Sequence, residues 1–197
     1  MLKIYNIIES TKTLGPFNRF ALWTQGCNFN CTGCMTPDSQ SLEGGQSIST
    51  EKLIQMILYT PGIEGITISG GEPFIQAESL YMIIKELRDI RDFGVIVYTG
   101  YTLKQLEEKE DKLTNLFLEN IDILIDGLYD DKLNDGISLR GSSNQNVHQL
   151  TQRYTDVFDE YYGKSAREIE IHMQEENMMI VGIPKQDTLI KINSHWQ

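Results

Sequence analysis

The chain holds three cysteines and no fourth, only three histidines, and far fewer cations than anions. Seventeen Lys and Arg stand against 28 Asp and Glu, a formal net charge of -11. Binding to a nucleic acid draws on clustered Lys and Arg that neutralise phosphates, so this balance argues against a nucleic acid as the main partner. No apolar run approaches the roughly 20 residues that a helix needs to cross a bilayer. The first residues also lack the charged-then-apolar pattern of an export signal. The expectation is a cytoplasmic protein with no membrane partner. An odd cysteine count without export argues against a disulfide framework, and an auxiliary cysteine-ligated cluster has no ligands within one chain. Repeats and low-complexity tracts are missing too. At 197 residues and 40% hydrophobic, the chain suits one domain with an adequate core.

All three cysteines fall within eight residues, as Cys27, Cys31 and Cys34 in the run QGCNFNCTGC. Thiolates are soft ligands that favour zinc, copper(I) or iron–sulfur clusters. A structural zinc site closes a tetrahedron with four ligands; His148, His172 and His195 are the available completions, and none lies at finger spacing. In a 4Fe-4S cubane, three thiolates leave one iron without a protein ligand and free to bind a small molecule. Downstream, the strand-like run Gly65–Ser69 leads directly into Gly70-Gly71-Glu72-Pro73. Glycines let a backbone approach a ligand closely and adopt positive φ, and proline fixes the exit from the turn. Alone, this motif reads first as an ordinary strand-to-helix turn; beside the cysteine loop, the ligand-binding reading takes precedence.

Taken together, C-x3-C-x2-C followed by GGEP resembles the radical S-adenosylmethionine superfamily. The resemblance implies that Cys27, Cys31 and Cys34 ligate one 4Fe-4S cluster and serve catalysis. The methionyl amino and carboxylate groups of S-adenosyl-L-methionine would chelate the fourth iron, with Gly70, Gly71, Glu72 and Pro73 against the cofactor. Most members carry an aromatic residue just before the third cysteine, near the adenine; this chain has Gly33. That ending is similar to the glycyl radical activase group, which includes the activating proteins of anaerobic ribonucleotide reductases. Further points of similarity are Gly15-Pro16-Phe17-Asn18-Arg19-Phe20, Tyr98-Thr99-Gly100-Tyr101-Thr102, Asp126-Gly127 and Leu139-Arg140-Gly141-Ser142-Ser143-Asn144-Gln145, so that the match spans about residues 1–150.

Apolar runs of strand type alternate with segments of helical period, which argues for parallel βα units. The strand candidates are 3–8, 19–24, 65–69, 94–98 and 121–126. Helices are expected over 50–59, behind the capping candidates Ser49 and Thr50, over 77–91, and over 102–120 as one broken helix or two. Ser142, Ser143 and Asn144 are candidate caps for a helix through Val147 and Leu150. In such sheets ligands bind beyond the carboxyl ends of the strands, so the cysteine loop, GGEP, Thr99-Gly100-Tyr101 and Asp126-Gly127 converge on one rim. Thr99, Gly100, Asp126 and Arg140 are candidate cofactor contacts. The fold class is α/β, and the resemblance implies a small partial (β/α) barrel with mostly parallel strands.

Residues 1–150 form the expected core and 151–197 an extension packed on the same domain. The extension reads as an aromatic helical stretch (154–161) and two paired strands (169–173 and 178–181), with Met173, Met178 and Met179 as core filler. The implied activity is reductive cleavage of S-adenosylmethionine to methionine and a 5′-deoxyadenosyl radical, which generates a glycyl radical on a partner enzyme such as anaerobic ribonucleotide reductase. Flavodoxin or ferredoxin is the expected electron donor. Two alternatives remain at this level: a stand-alone radical enzyme acting on a small molecule or peptide, and a non-catalytic iron–sulfur or zinc protein.

Overall fold

A computed structural model describes residues 1–164, 166–174, 177–185, 187–188 and 191–192. The elements in chain order are β1 (Leu2–Thr11), β2 (Arg19–Thr24), β3 (Gln46–Ile48), α1 (Thr50–Tyr59), β4 (Gly65–Gly70), α2 (Ala77–Ile90), β5 (Gly94–Tyr98), α3 (Leu103–Glu107), α4 (Lys112–Leu118), β6 (Ile123–Asp126), β7 (Asn146–Gln149), α5 (Phe158–Tyr162), β8 (Ile169–Gln174) and β9 (Asn177–Gly182). Seven strands form one sheet in the order β3-β1-β2-β4-β5-β6-β7, and β8 and β9 pair separately. β2, β4, β5 and β6 are parallel neighbours. β1, β3 and β7 run antiparallel to theirs.

Alternation along each strand assigns two apolar faces. One face, carrying Phe20, Leu22, Ile66, Ile68, Val95, Val97 and Leu124, packs against Leu53 and Ile57 of α1, Leu80, Ile84 and Leu87 of α2, Leu106 of α3 and Phe117 of α4. The opposite face is covered by the C-terminal segment. Ile8, Ala21 and Trp23 meet Val181 and Ile183, while Ile96, Ile123 and Ile125 meet Tyr154 and Tyr162. With both faces covered, every residue of β2 is buried, as a central parallel strand requires.

Local chemistry sets the helix ends. The Ser49 hydroxyl accepts from Lys52 N at 3.2 Å and starts α1. The expected broken helix over 102–120 is two helices. A capping box between Thr102 and Gln105 opens the first, and Asp111 opens the second by accepting from Thr114 N at 2.9 Å, which satisfies amides that would otherwise be orphaned.

No helix runs through Val147. Asn146–Gln149 is instead a strand antiparallel to β6. Gln145 decides this: its side-chain oxygen accepts from Gly141 N at 2.8 Å and Ser142 N at 3.1 Å, and its amide donates to Gly127 O at 2.7 Å. The Ser142 hydroxyl, a cap candidate by sequence, accepts from Asp130 N at 3.1 Å instead.

At the amino end of the parallel strands, Arg19 is fully buried. Its guanidinium donates to Thr67 Oγ1, Glu64 Oε2 and Ile66 O, each at 2.7 Å, and to Tyr154 OH at 2.9 Å, Gly94 O at 3.1 Å and Pro16 O at 3.2 Å. Tyr154 in turn donates to Glu64 Oε2 at 2.6 Å, so the C-terminal segment is tied beneath the sheet as well as across its face.

Candidate functional site

The opposite ends of β2, β4, β5 and β6 form a rim. Beyond Thr24 the chain enters the cysteine loop, whose base is closed by Gly26 N to Ser39 O at 2.8 Å and Cys27 N to Gln40 O at 3.0 Å. Gln25 braces it from inside, donating to Asp38 O at 3.1 Å and Ser41 O at 2.8 Å. Within the loop, Phe29 N donates to Cys27 Sγ at 3.4 Å, and Cys34 N to Cys31 O at 3.3 Å.

The GGEP turn is laid directly on this loop. Gly71 N donates to Thr24 O and Glu72 N to Gly26 O, both at 2.8 Å. A Cβ on Gly70 would lie 2.4 Å from Thr24 N, and one on Gly71 would lie 2.2 Å from Gly26 O. The paired glycines are therefore required by backbone packing against backbone, an approach that sequence reasoning had assigned to a ligand. Both also border the cavity described below.

Glu72 is 1% exposed. Its carboxylate accepts from Phe74 N at 3.0 Å, Thr99 Oγ1 at 2.9 Å and Gly100 N at 2.8 Å, stitching the turn after β4 to the turn after β5. Burial pushes its pKa up against the pull of those three hydrogen bonds. Pro73 begins a short 3-10 turn and is buried behind the motif.

These turns enclose a cavity of about 430 Å3, bordered by Cys27, Cys31 and Cys34, by Gly70, Gly71 and Glu72, and by Thr99 and Gly100. Its size falls within the roughly 300–1,000 Å3 of small-molecule sites. Burial pushes the Cys27 and Cys31 thiols up, and the charges of Glu72 and the neighbouring thiols add to this; main-chain N–H groups of Phe29 and Tyr129 pull the other way. A bound cation reverses that balance, because it binds and stabilises thiolates.

Among the described residues, no three His, Cys, Asp or Glu side chains are grouped as for a single metal ion. Three thiols bordering one cavity, with no fourth cysteine in the chain, fit a multi-iron cluster with one iron open to a ligand. His148 lies 2.9 Å from Asp126 and His172 lies 3.0 Å from Glu170; neither borders the cavity, and His195 lies outside the described residues.

Four other sequence candidates are held elsewhere. Gly33, at φ 69°, sits under Asp131: a Cβ there would be 2.5 Å from the Asp131 Cβ. Pro73 backs the turn without reaching the cavity. Asp126 is consumed by the fold, accepting from Leu103 N at 2.6 Å and from the Asn146 side chain at 3.0 Å. Arg140 turns to Asp135 at 2.9 Å. Gly127, beside Asp126, does reach the cavity wall.

Sequence reasoning missed Trp23, Met35, Tyr129 and Gln145, and it took Met178 and Met179 for core filler, whereas Met178, Met179, Ile180, Gly182 and Ile183 of the C-terminal segment all border the cavity. Trp23 was legible as the last inward residue of β2. Nothing local in the hairpin sequence says where the hairpin docks.

Residues 13–148 match the family model described as a 4Fe-4S single cluster domain. The chain is similar to the anaerobic ribonucleoside-triphosphate reductase-activating protein of Vibrio cholerae, 31% identical over 145 residues that cover 70% of this chain and 91% of the relative. It is similar to that of Escherichia coli K12, 32% identical over 145 residues, 69% of this chain and 91% of the relative. The pyruvate formate-lyase-activating enzyme of Clostridium pasteurianum is 30% identical over 129 residues, 62% of this chain and 54% of the relative. Among the described residues no helix is long and apolar enough to cross a membrane.

Proposed function

Because the chain belongs to the 4Fe-4S single-cluster domain family and, within it, to the radical S-adenosylmethionine activases of glycyl radical enzymes, we propose that Cys27, Cys31 and Cys34 hold its cluster. On this reading S-adenosylmethionine binds at the wall of the cavity formed by the thiols and the Gly70-Gly71 and Thr99-Gly100 turns, and anaerobic ribonucleotide reductase is the partner. The observation that carries the site assignment is the convergence of three thiols, the Gly70-Gly71 turn and Thr99-Gly100 on one cavity.

A cluster held by Cys27, Cys31 and Cys34 would supply the electron for reductive cleavage of S-adenosylmethionine to methionine and the 5′-deoxyadenosyl species that would take the hydrogen atom of the partner's glycine. The chain's own share is placement and exclusion of water. The cysteine loop is held at its base by Gln25 and the Ser39 and Gln40 carbonyls, so the thiols are preorganised. Glu72 fixes the turns that bear Gly71 and Gly100, and acts as a positioning residue. No base or nucleophile is needed. Residues 1–150 serve as the radical core, and the described residues beyond 150 as an extension packed on the same domain. A flavodoxin or ferredoxin delivers the electron, in the cytoplasm, with neither nucleic acid nor membrane involved.

The test is electron paramagnetic resonance on the reconstituted, reduced protein mixed with S-adenosylmethionine and either purified anaerobic ribonucleotide reductase or purified pyruvate formate-lyase. A glycyl radical doublet on the reductase alone is the expected result. A doublet on the lyase alone would reassign the partner, and 5′-deoxyadenosine formed with a doublet on neither would remove both partner assignments.

A further inference from the structure

The hairpin β8–β9 lies beyond residue 148, where the family match ends. The Vibrio cholerae relative is already 91% covered by its match, which leaves it too little chain to supply a counterpart of the whole C-terminal segment. Yet this hairpin forms one wall of the cavity. Its contribution is Met178, Met179, Ile180, Gly182, Ile183 and Pro184, with no charged side chain among them.

The way β9 meets the cavity is informative. Side chains alternate across a strand, so Met178, Ile180 and Gly182 share one face, and Met179, Val181 and Ile183 share the other. The second face is seated on the sheet: Val181 is fully buried among Ile8, Ala21 and Trp23, and Asn6 Nδ2 donates to Met179 Sδ at 3.0 Å. Residues of both faces nevertheless border the cavity. A cavity reached from both faces of a strand lies along its edge. β9 has β8 as its one strand neighbour among the described residues, so its other edge carries main-chain N–H and C=O groups without a strand partner, the template that an extended peptide uses when it adds to a sheet.

We infer that the glycine-bearing segment of the partner enzyme enters the cavity in extended form alongside β9, and that Met178–Gly182 set which segment is accepted. This rests on the activase reading above. That activity requires a backbone glycine of another protein to reach the interior, next to the wall that carries the thiols. The β9 wall suits such a guest, because its apolar, uncharged surface favours a neutral segment and its main-chain edge binds backbone without demanding side chains. Glycine itself offers little else to bind. The thioethers of Met178 and Met179 adapt to the guest's contours.

The test is amide hydrogen exchange of the full-length holoprotein with and without anaerobic ribonucleotide reductase, joined to partner affinity for two variants. Exchange in peptides covering 177–183 is expected to slow at least tenfold on binding, while α2 stays unchanged. Met178→Lys should weaken the partner at least tenfold, and Met82→Lys, an equally drastic change at an exposed apolar position on α2, should leave affinity within about twofold. Since the exchange measurement uses the wild-type chain, it holds even where Met178→Lys misfolds. Binding with unchanged exchange at 177–183 would overturn the inference and leave the activase reading intact. If the reductase does not bind, pyruvate formate-lyase replaces it as probe; failure of both would overturn the activase reading and this inference together.

Discussion

The two ends of the parallel strands are built on opposite plans. At the amino end, one guanidinium is sealed off from water and directed at six acceptors, each within 3.2 Å. At the carboxyl end, three thiols and two glycine-rich turns surround an open cavity. One end satisfies its polar groups internally and locks β2, β4 and β5 to the C-terminal segment; the other leaves space. The contrast teaches where rigidity comes from. Because the closed end fixes the starts of the strands, the open end can keep its loops in register without filling the volume between them.

Removing the closed end gives the largest expected effect. Arg19→Met strips donors from the Ile66 and Gly94 carbonyls and from Thr67, and it leaves Glu64 with Arg153, which lies 2.8 Å away. Breaking such a buried network costs about 3–5 kcal/mol. At about 2–4 °C per kcal/mol for a chain of this size, calorimetry should record a fall of roughly 10 °C in Tm. The iron content of the protein that remains folded should not change, and a loss of iron at normal Tm would undo the division of labour between the two ends.

Glu72→Gln probes the open end. The substitution preserves shape but sets an amide against Gly100 N–H or Phe74 N–H, where the carboxylate now accepts at 2.8 and 3.0 Å. One unsatisfied buried group costs about 1–3 kcal/mol. Much of that should be spent on misplacing the rim, so the apparent KM for S-adenosylmethionine should rise about tenfold, which corresponds to 1.4 kcal/mol, with a smaller change in Tm. Steady-state kinetics beside calorimetry separates the two; a large Tm shift with unchanged KM would assign Glu72 to the frame alone.

How much of this was readable in advance differs between the ends as well. At the open end, Cys27, Cys31, Cys34 and the Gly70-Gly71 pair were legible because the chemistry lies in short spacings, and α1, β2 and β5 were legible because caps and apolar alternation are local signals. The closed end was not. Arg19 is an ordinary cation in sequence, and its acceptors Glu64, Gly94 and Tyr154 are brought together by the fold. Arg140 and Asp126, candidate cofactor contacts by sequence, lie off the cavity wall for the same reason: Asp135, Leu103 and Asn146 hold them in space. The strands β8 and β9 were visible as a pair, but no local signal says that the face of the sheet away from the helices needs covering.

The smallest expected effect is a pH dependence at Asp126. Burial works against its charge, but the N–H of Leu103, the Asn146 side chain and His148 outweigh it and hold the carboxyl below its ordinary value. A carboxyl lowered by folding contributes stability above its unfolded value, about pH 4, and loses it as pH falls through the folded value. Asp126→Asn should therefore cost about 1 kcal/mol near neutral pH, and the gap from wild type should close below pH 4. A gap that stays constant across pH 3–6 would show that the carboxylate's charge plays no part.

The central claim is that the open end holds one 4Fe-4S cluster on Cys27, Cys31 and Cys34, with its fourth iron free for S-adenosylmethionine. Anaerobic reconstitution with iron and sulfide, followed by metal analysis and a count of 5′-deoxyadenosine after reduction, tests this directly in the wild type and in each Cys→Ala variant. The account predicts about four irons per chain with reductant-dependent 5′-deoxyadenosine in the wild type, and neither in any of the variants. Tightly held zinc in place of iron, or normal cleavage in a variant that lacks one of the three thiols, would contradict it.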